Sequence, residues 1–194
     1  MGANFWSHIV PYQIDMDKVL EDLQHDIFLR GVYQKPGIDL SLLDDMDFFD
    51  VDEDARELMI AEYTLGPLRE PVRRFGLAGL RAWLESLDEA PGIQTREELE
   101  ALQCLSWDGT GSILDIGGVS QEPRNGAIFP LSRELLLKSF GTDHPTRDML
   151  PIWRQRWDQA MMEPLPYERG QGIYFVLYQD GRPSEIYIEG ATGD

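Results

Sequence analysis

GIYFVLYQDGRPSEIYIEG, residues 172–190, decides how this chain folds. Two runs of β-branched and aromatic residues flank Asp180–Gly181, a pair that takes the positive φ angles of a tight hairpin turn. In the first run Ile173, Phe175 and Leu177 alternate with Tyr174, Val176 and Tyr178, so both faces are apolar or aromatic. That is the pattern of a strand covered on both sides. In the second run Ile186 and Ile188 alternate with Glu185, Tyr187 and Glu189, which predicts a strand with one wetter face. Pro183 cannot donate to a ladder and belongs at the start of that strand or at a sheet edge. The stretch reads as a core hairpin and carries no catalytic signature.

Farthest from it in sequence, NFWSHIV (residues 4–10) reads as a strand ending at Pro11. Asp15 then fits a helix N-cap, and Asp17 places a carboxylate in the first turn, where the helix dipole favours it. Met16, Val19, Leu20, Leu23 and Ile27 fall on one stripe of that helix, and Gly31 stops it. His8 and His25 have no second histidine or cysteine at ligand spacing, so each reads as structural.

After a Pro/Gly connector comes DLSLLDDMDFFDVDEDARE, residues 39–57, in which nine of nineteen residues are acidic and Arg56 alone opposes them. Laid on a calcium loop, Asp50, Asp52 and Asp54 fill the first, third and fifth positions. Ala55 then stands where the turn needs glycine, and Ala61 where a bidentate glutamate belongs, with Glu62 one residue late. No metal site is expected. Apolar residues between the carboxylates suit a loop pinned to the core or a contact surface with aromatic anchors inside an acidic rim. On the second reading the partner-binding residues are Asp44, Asp45, Asp47, Phe48, Phe49, Asp50, Asp52, Glu53 and Asp54.

A short helix over 54–65 is followed by one from about Glu70, whose Val72, Phe75, Leu80, Trp83, Leu84 and Leu87 share a face with Gly76 and Gly79. Thr95 and Glu98 form a Thr-x-x-Glu capping box for a helix running to about Cys104. Cys104, near a helix C-terminus, reads as a packed small hydrophobe and not a nucleophile. WDGTGSILDIGGVS (107–120) reads as a turn, a strand from Ser112 to Ile116 and another turn. Dinucleotide, phosphate-loop and nucleophile-elbow templates all fail on it: Leu114 stands where the first pattern and Glu122 where the last needs a glycine, and no Lys-Ser/Thr pair completes a phosphate loop. Ser132 caps a helix to Phe140 that turns Leu135, Leu136 and Phe140 inward. Asp143, His144, Arg147 and Asp148 then form a polar cluster, with Asp148 read as the cap of a helix that has Pro151 in its first turn and Trp153, Trp157, Ala160 and Met161 on one face. No catalytic residue or cofactor is assigned.

The 194 residues suffice for one domain with a real core, and no internal repeat or low-complexity linker argues for a second. The elements predict one α+β domain over 1–194, with a mixed or antiparallel sheet, the C-terminal β-hairpin and about five to six helices packed on it. No apolar run is long enough to span a bilayer, the N-terminus lacks a secretory pattern, and Cys104 is alone, so a cytoplasmic location is the expectation. With 35 acidic against 17 basic residues the net charge is −18. Residues 1–65 hold 15 acids and 4 bases, most of the imbalance. Such a field repels nucleic acid and anionic membranes and attracts cationic partners.

The start MGANFWSHIVPYQIDMDKVLEDLQHDIFLRG, the middle GSILDIGGV and the end YFVLYQDGRPSEIYIEG together resemble a family of small acidic bacterial proteins of unknown function, found especially in actinobacteria. In type the chain also resembles immunity proteins of bacterial toxin systems. The resemblance implies no catalytic residue. The function expected is therefore a non-enzymatic acidic binding protein, for example an immunity protein that neutralises a basic toxin such as a nuclease by covering its cationic site. The alternative is a small enzyme with a carboxylate-based or metal-dependent site.

Overall fold

A computed structural model describes residues 3–34, 79, 82–87, 93–103, 109–158 and 165–193. The chain's contacts gather into two compact units, residues 1–34 with 110–194, and residues 35–109. Both lie within the span read above as one α+β domain.

The first unit is built on a five-stranded mixed sheet in the order β1-β5-β4-β3-β2. Its strands are β1 (Ala3–Pro11), β2 (Gly118–Val119), β3 (Ala127–Pro130), β4 (Gln171–Gln179) and β5 (Arg182–Gly193). The hairpin forms as its residues require: Asp180 and Gly181 take φ of 51° and 74°, and Phe175 pairs with Tyr187 across the ladder. β1 runs antiparallel on the other side of β5, with Ser7 opposite Glu189 and Ile9 opposite Tyr187. β3 lies parallel to β4 and β2 parallel to β3. The hairpin thus occupies the middle of the sheet, and Pro183 is the second residue of β5.

This placement corrects one expectation. β5 has no wetter face from Ile186 onward, because Tyr187 and Glu189 are buried together with Ile186 and Ile188, and of the predicted wetter residues Glu185 alone is half-buried. β4 keeps Ile173, Phe175 and Leu177 fully buried and Tyr174, Val176 and Tyr178 half-buried.

Helix α1 (Met16–Arg30) starts at Asp15, whose side chain accepts from the Lys18 amide, and ends at Gly31 in the left-handed conformation. Val19, Leu20, Leu23 and Ile27 are buried on the expected stripe, and so is Gln24. The Gln24 amide donates to the carbonyls of Ile113 (2.9 Å) and Ile116 (2.6 Å). Residues 113–115 are a 3₁₀ turn and not the predicted strand, and the Ile113 carbonyl accepts from the Ile116 amide as well as from Gln24. The turn wins there because the Asp115 carboxylate gathers the Thr110 amide, the Thr110 hydroxyl and the Ser112 amide, while Ser112 caps the Leu114 amide.

On the opposite face of the sheet lie α3 (Arg133–Phe140) and α4 (Leu150–Asp158), the helical elements between the parallel strands β3 and β4. Ser132 caps α3 through the Leu135 amide, and Gly141 ends it. A second correction falls before α4. Asp148 is no cap but lies within the 3₁₀ turn Arg147–Met149, which starts at Thr146. Pro151 does stand in the first turn of α4, where its missing N–H costs nothing. These helices cover a core of Phe129, Leu131, Leu150, Trp153, Tyr167, Ile173, Phe175, Leu177, Tyr187 and Ala191.

In the second unit, α2 (Arg96–Gln103) begins with the predicted capping box. The Glu98 amide donates to Thr95 Oγ1 at 3.2 Å, and Glu98 Oε2 accepts from the Thr95 amide at 3.0 Å. Leu99 and Leu102 are buried on its inner side, and the helical residues 82–86 bury Leu84. The short helix expected over 54–65 and Cys104 lie outside the described residues.

Candidate functional site

The strand pair β1–β5 carries a polar group on each face. On the face under α4 it is Glu189, whose residue has no exposed surface. Strand periodicity puts Tyr187 and Glu189 side by side, and the ladder puts Ser7 across from Glu189 on β1 and Ile173 across from it on β4. Trp153 of α4 donates its indole N–H to Glu189 Oε1 at 2.8 Å, and the Tyr187 hydroxyl lies 2.7 Å from Oε2. The Tyr187 hydroxyl also has the Ser7 hydroxyl and the Arg154 guanidinium as hydrogen-bonding neighbours. Arg154 in turn donates to Ser7 Oγ at 3.3 Å, and both of these residues are exposed.

Aromatic rings hold this carboxyl in place. Trp153 stacks on Phe140 and meets Phe175 edge-on at 5.8 Å, and Phe175 packs on Tyr187 at 5.1 Å. Such surroundings cannot solvate a charge, so burial pushes the Glu189 carboxyl up to about 7, against the opposing hydrogen bonds of Tyr187 and Trp153 and the Arg154 charge. Burial and then the neighbouring Glu189 raise Tyr187 to about 12, and the same two causes push Tyr167 well above the ordinary phenol range. The Tyr187 hydroxyl links this buried carboxyl to the exposed Ser7 hydroxyl.

On the other face of the pair, Trp6 lies flat over Gly190 and Gly172, whose missing side chains make room for its ring. Trp6 Nε1, His8 Nε2 and Thr192 Oγ1 are buried there without a hydrogen-bond partner, and Trp6 and His8 stack at 6.1 Å. Burial lowers the His8 pKa, with Asp26 of α1 opposing the shift. Among the described residues no group of three or more His, Cys, Asp or Glu side chains could hold a metal ion.

The nine residues read as a partner face, Asp44, Asp45, Asp47, Phe48, Phe49, Asp50, Asp52, Glu53 and Asp54, lie outside the described residues. What the structure does describe of the acidic first third is the outward side of α1. There Lys18 is paired with Asp22 and Arg30 with Asp26, while Asp17 and Glu21 have no ion-pair partner among the described residues. Leu29 and Val32, 68% and 61% exposed, lie at the C-terminal end of the same helix.

The polar cluster after α3 does not converge on a point. Asp143 pairs with Arg133 at 2.7 Å, Arg147 pairs with Glu185 at 2.8 Å, and His144 stacks on Tyr178 at 4.1 Å. Sequence reasoning missed Glu189 because it set that residue on a solvent face. The available signal was its setting, a single acid in the apolar and small-residue run Ile186 to Ala191, with an apolar N-terminal strand free to cover it.

No helix of the described residues is long and apolar enough to cross a membrane. Comparison with protein-family models, with curated proteins and with solved structures gives no match to this chain.

Proposed function

We propose that this protein works by binding a cationic partner protein through an acidic face with apolar anchors, and that the partner is a basic toxin such as a nuclease, which makes the chain an immunity protein. The observation that carries the reading is the outward side of α1. Its two bases are each tied to an acid on the same helix, which leaves Asp17 and Glu21 in its first turns without an ion-pair partner among the described residues, while Leu29 in its last turn and Val32 just after it are exposed. Acids without counter-charges and exposed apolar side chains on one element are what a steered, desolvating contact uses. The residues that follow in sequence, 39–57, hold nine more acids and the Phe48–Phe49 pair.

The test is capture from the cell of origin on immobilised full-length protein, at low and at high salt. The expected result is a basic protein that is retained at low salt, is released by salt and arrests growth when produced alone but not when co-produced with this chain. Retention of acidic or neutral proteins alone, unaffected by salt, would overturn the reading. The alternative of an enzyme has one observation in its favour, the Glu189 carboxyl, which burial pushes up to about 7. That carboxyl belongs to a residue with no exposed surface, so the binding reading stands ahead of it.

A further inference from the structure

Glu189 lies where several elements meet: α4 covers it through Trp153, β1 flanks it at Ser7, β4 at Ile173, and Tyr167 comes from the segment before β4. Each carboxyl oxygen faces one uncharged donor. An indole N–H can only donate, so Oε1 is an acceptor in both protonation states, and a proton on the carboxyl sits on Oε2, facing Tyr187. A phenol can give or take a hydrogen bond. With Oε2 protonated, Tyr187 accepts from the carboxyl and donates outward to Ser7; with Oε2 ionised, it donates inward.

Among the described residues, the titratable or charged groups facing the carboxyl are few. They are Tyr187 on its own strand, Tyr167, and Arg154 of α4, whose exposed guanidinium is bonded to Ser7. β1 and β4 present Ser7 and Ile173, which do not titrate, and Glu185 farther along β5 is paired with Arg147.

We propose that Glu189 is a proton-controlled latch: with Oε2 protonated, α4 stays seated on the sheet, and loss of that proton through the Tyr187 and Ser7 hydroxyls loosens α4. In that step the proton leaves Oε2 for the Tyr187 oxygen while the Tyr187 proton passes to Ser7 Oγ and the Ser7 proton to solvent water. The carboxylate left behind has exchanged water for two neutral donors, and the element it can displace to regain water is α4, which brings both Trp153 and Arg154 to the site. Because the folded-state pKa is raised, from 4.5 to about 7, the stabilisation is complete below the lower value and is lost as pH rises through the upper one. The latch is independent of the binding reading.

The experiment uses the full chain and its Glu189→Gln variant, with amide hydrogen exchange of α4 followed from pH 5 to 8.5 after correction for the intrinsic pH dependence of exchange. In the wild type, protection of α4 should fall on the order of a hundredfold across that range, and the Trp153 indole N–H resonance should move with the same midpoint. In Glu189→Gln both should stay flat. Parallel loss of protection in the two proteins would overturn the proposal. Should the variant fail to fold, the carbonyl infrared band of a protonated carboxyl in the wild type decides the matter. A band present at pH 5.5 and gone at pH 8.5 supports the latch, and no such band at pH 5.5 sinks it.

Discussion

A methyl group at residue 190 would run into the Trp6 ring on one side and come within 2.7 Å of the Gln171 carbonyl on the other. The backbone cannot yield there without disturbing the central ladder, so Gly190→Ala should lower stability by about 1–3 kcal/mol, as overpacking does elsewhere. The midpoint of a urea melt reads this directly, and an unchanged midpoint would show that Trp6 has another place to go. Phe175 is the opposite case, a large side chain in contact with Phe140, Trp153 and Tyr187. Phe175→Ala leaves a hole among rings that cannot close around it and should cost about 3–5 kcal/mol. A loss under about 1 kcal/mol in the same melt would remove Phe175 from the core. Gln24 belongs to neither class. Replacing it by Ala removes a donor from two buried carbonyls, of which that of Ile113 keeps the Ile116 amide, and a loss of about 1–3 kcal/mol is expected from the same measurement.

Elements with their own stop and start signals were readable before any coordinates. β1 ends at Pro11, α1 runs between the Asp15 cap and Gly31, α3 between Ser132 and Gly141, and the hairpin turns at Asp180–Gly181. Local chemistry alone decides such boundaries. Elements that depend on a distant neighbour were not readable. β3 is four residues long, too short for a period to show, and exists because β4 accepts it as a parallel partner. A separate case is the 3₁₀ turn at 113–115, which looks like a strand by composition but is closed locally by Ser112 and Asp115, with Gln24, 89 residues away from Ile113 in sequence, bonding to it from α1. The burial of Glu189 needs β1 and α4 together, and neither is local to it. The turn itself offers a clean test. Gly181 has φ of +74°, so Gly181→Ala should cost about 1–2 kcal/mol, while Asp180→Asn, which tolerates its φ of 51° equally well, should be neutral in the same denaturant melt.

For the whole molecule the governing quantity is its charge of −18, and the proposed partner surface should use it at the encounter step. Changing Asp44, Asp45, Asp47 and Asp50 to Asn takes the net charge from −18 to −14. Association with the captured cationic partner should slow and its salt dependence flatten, because steering is screened over about 8–10 Å at ordinary salt. Truncating an anchor of the Phe48–Phe49 pair should instead speed dissociation, by about 2 kcal/mol or more in binding. Stopped-flow kinetics at two salt concentrations separate these effects, and unchanged association for the fourfold variant would end the idea that residues 39–57 form the contact.

The sheet order also sets a timetable for synthesis. β1 is the outer neighbour of β5, so among the described residues the strand it pairs with is made after every other strand of the sheet. Between Pro11 and Arg182 the ribosome must add roughly 170 residues, which at about 5–20 residues per second is on the order of ten to thirty seconds. Throughout that interval Trp6, Ile9 and Val10 are without β5, the strand they pair with among the described residues. The nascent chain therefore waits on its own C-terminal hairpin. A factor that shields an unpaired apolar strand during translation should raise the yield of folded protein more than any stabilising change within the hairpin itself.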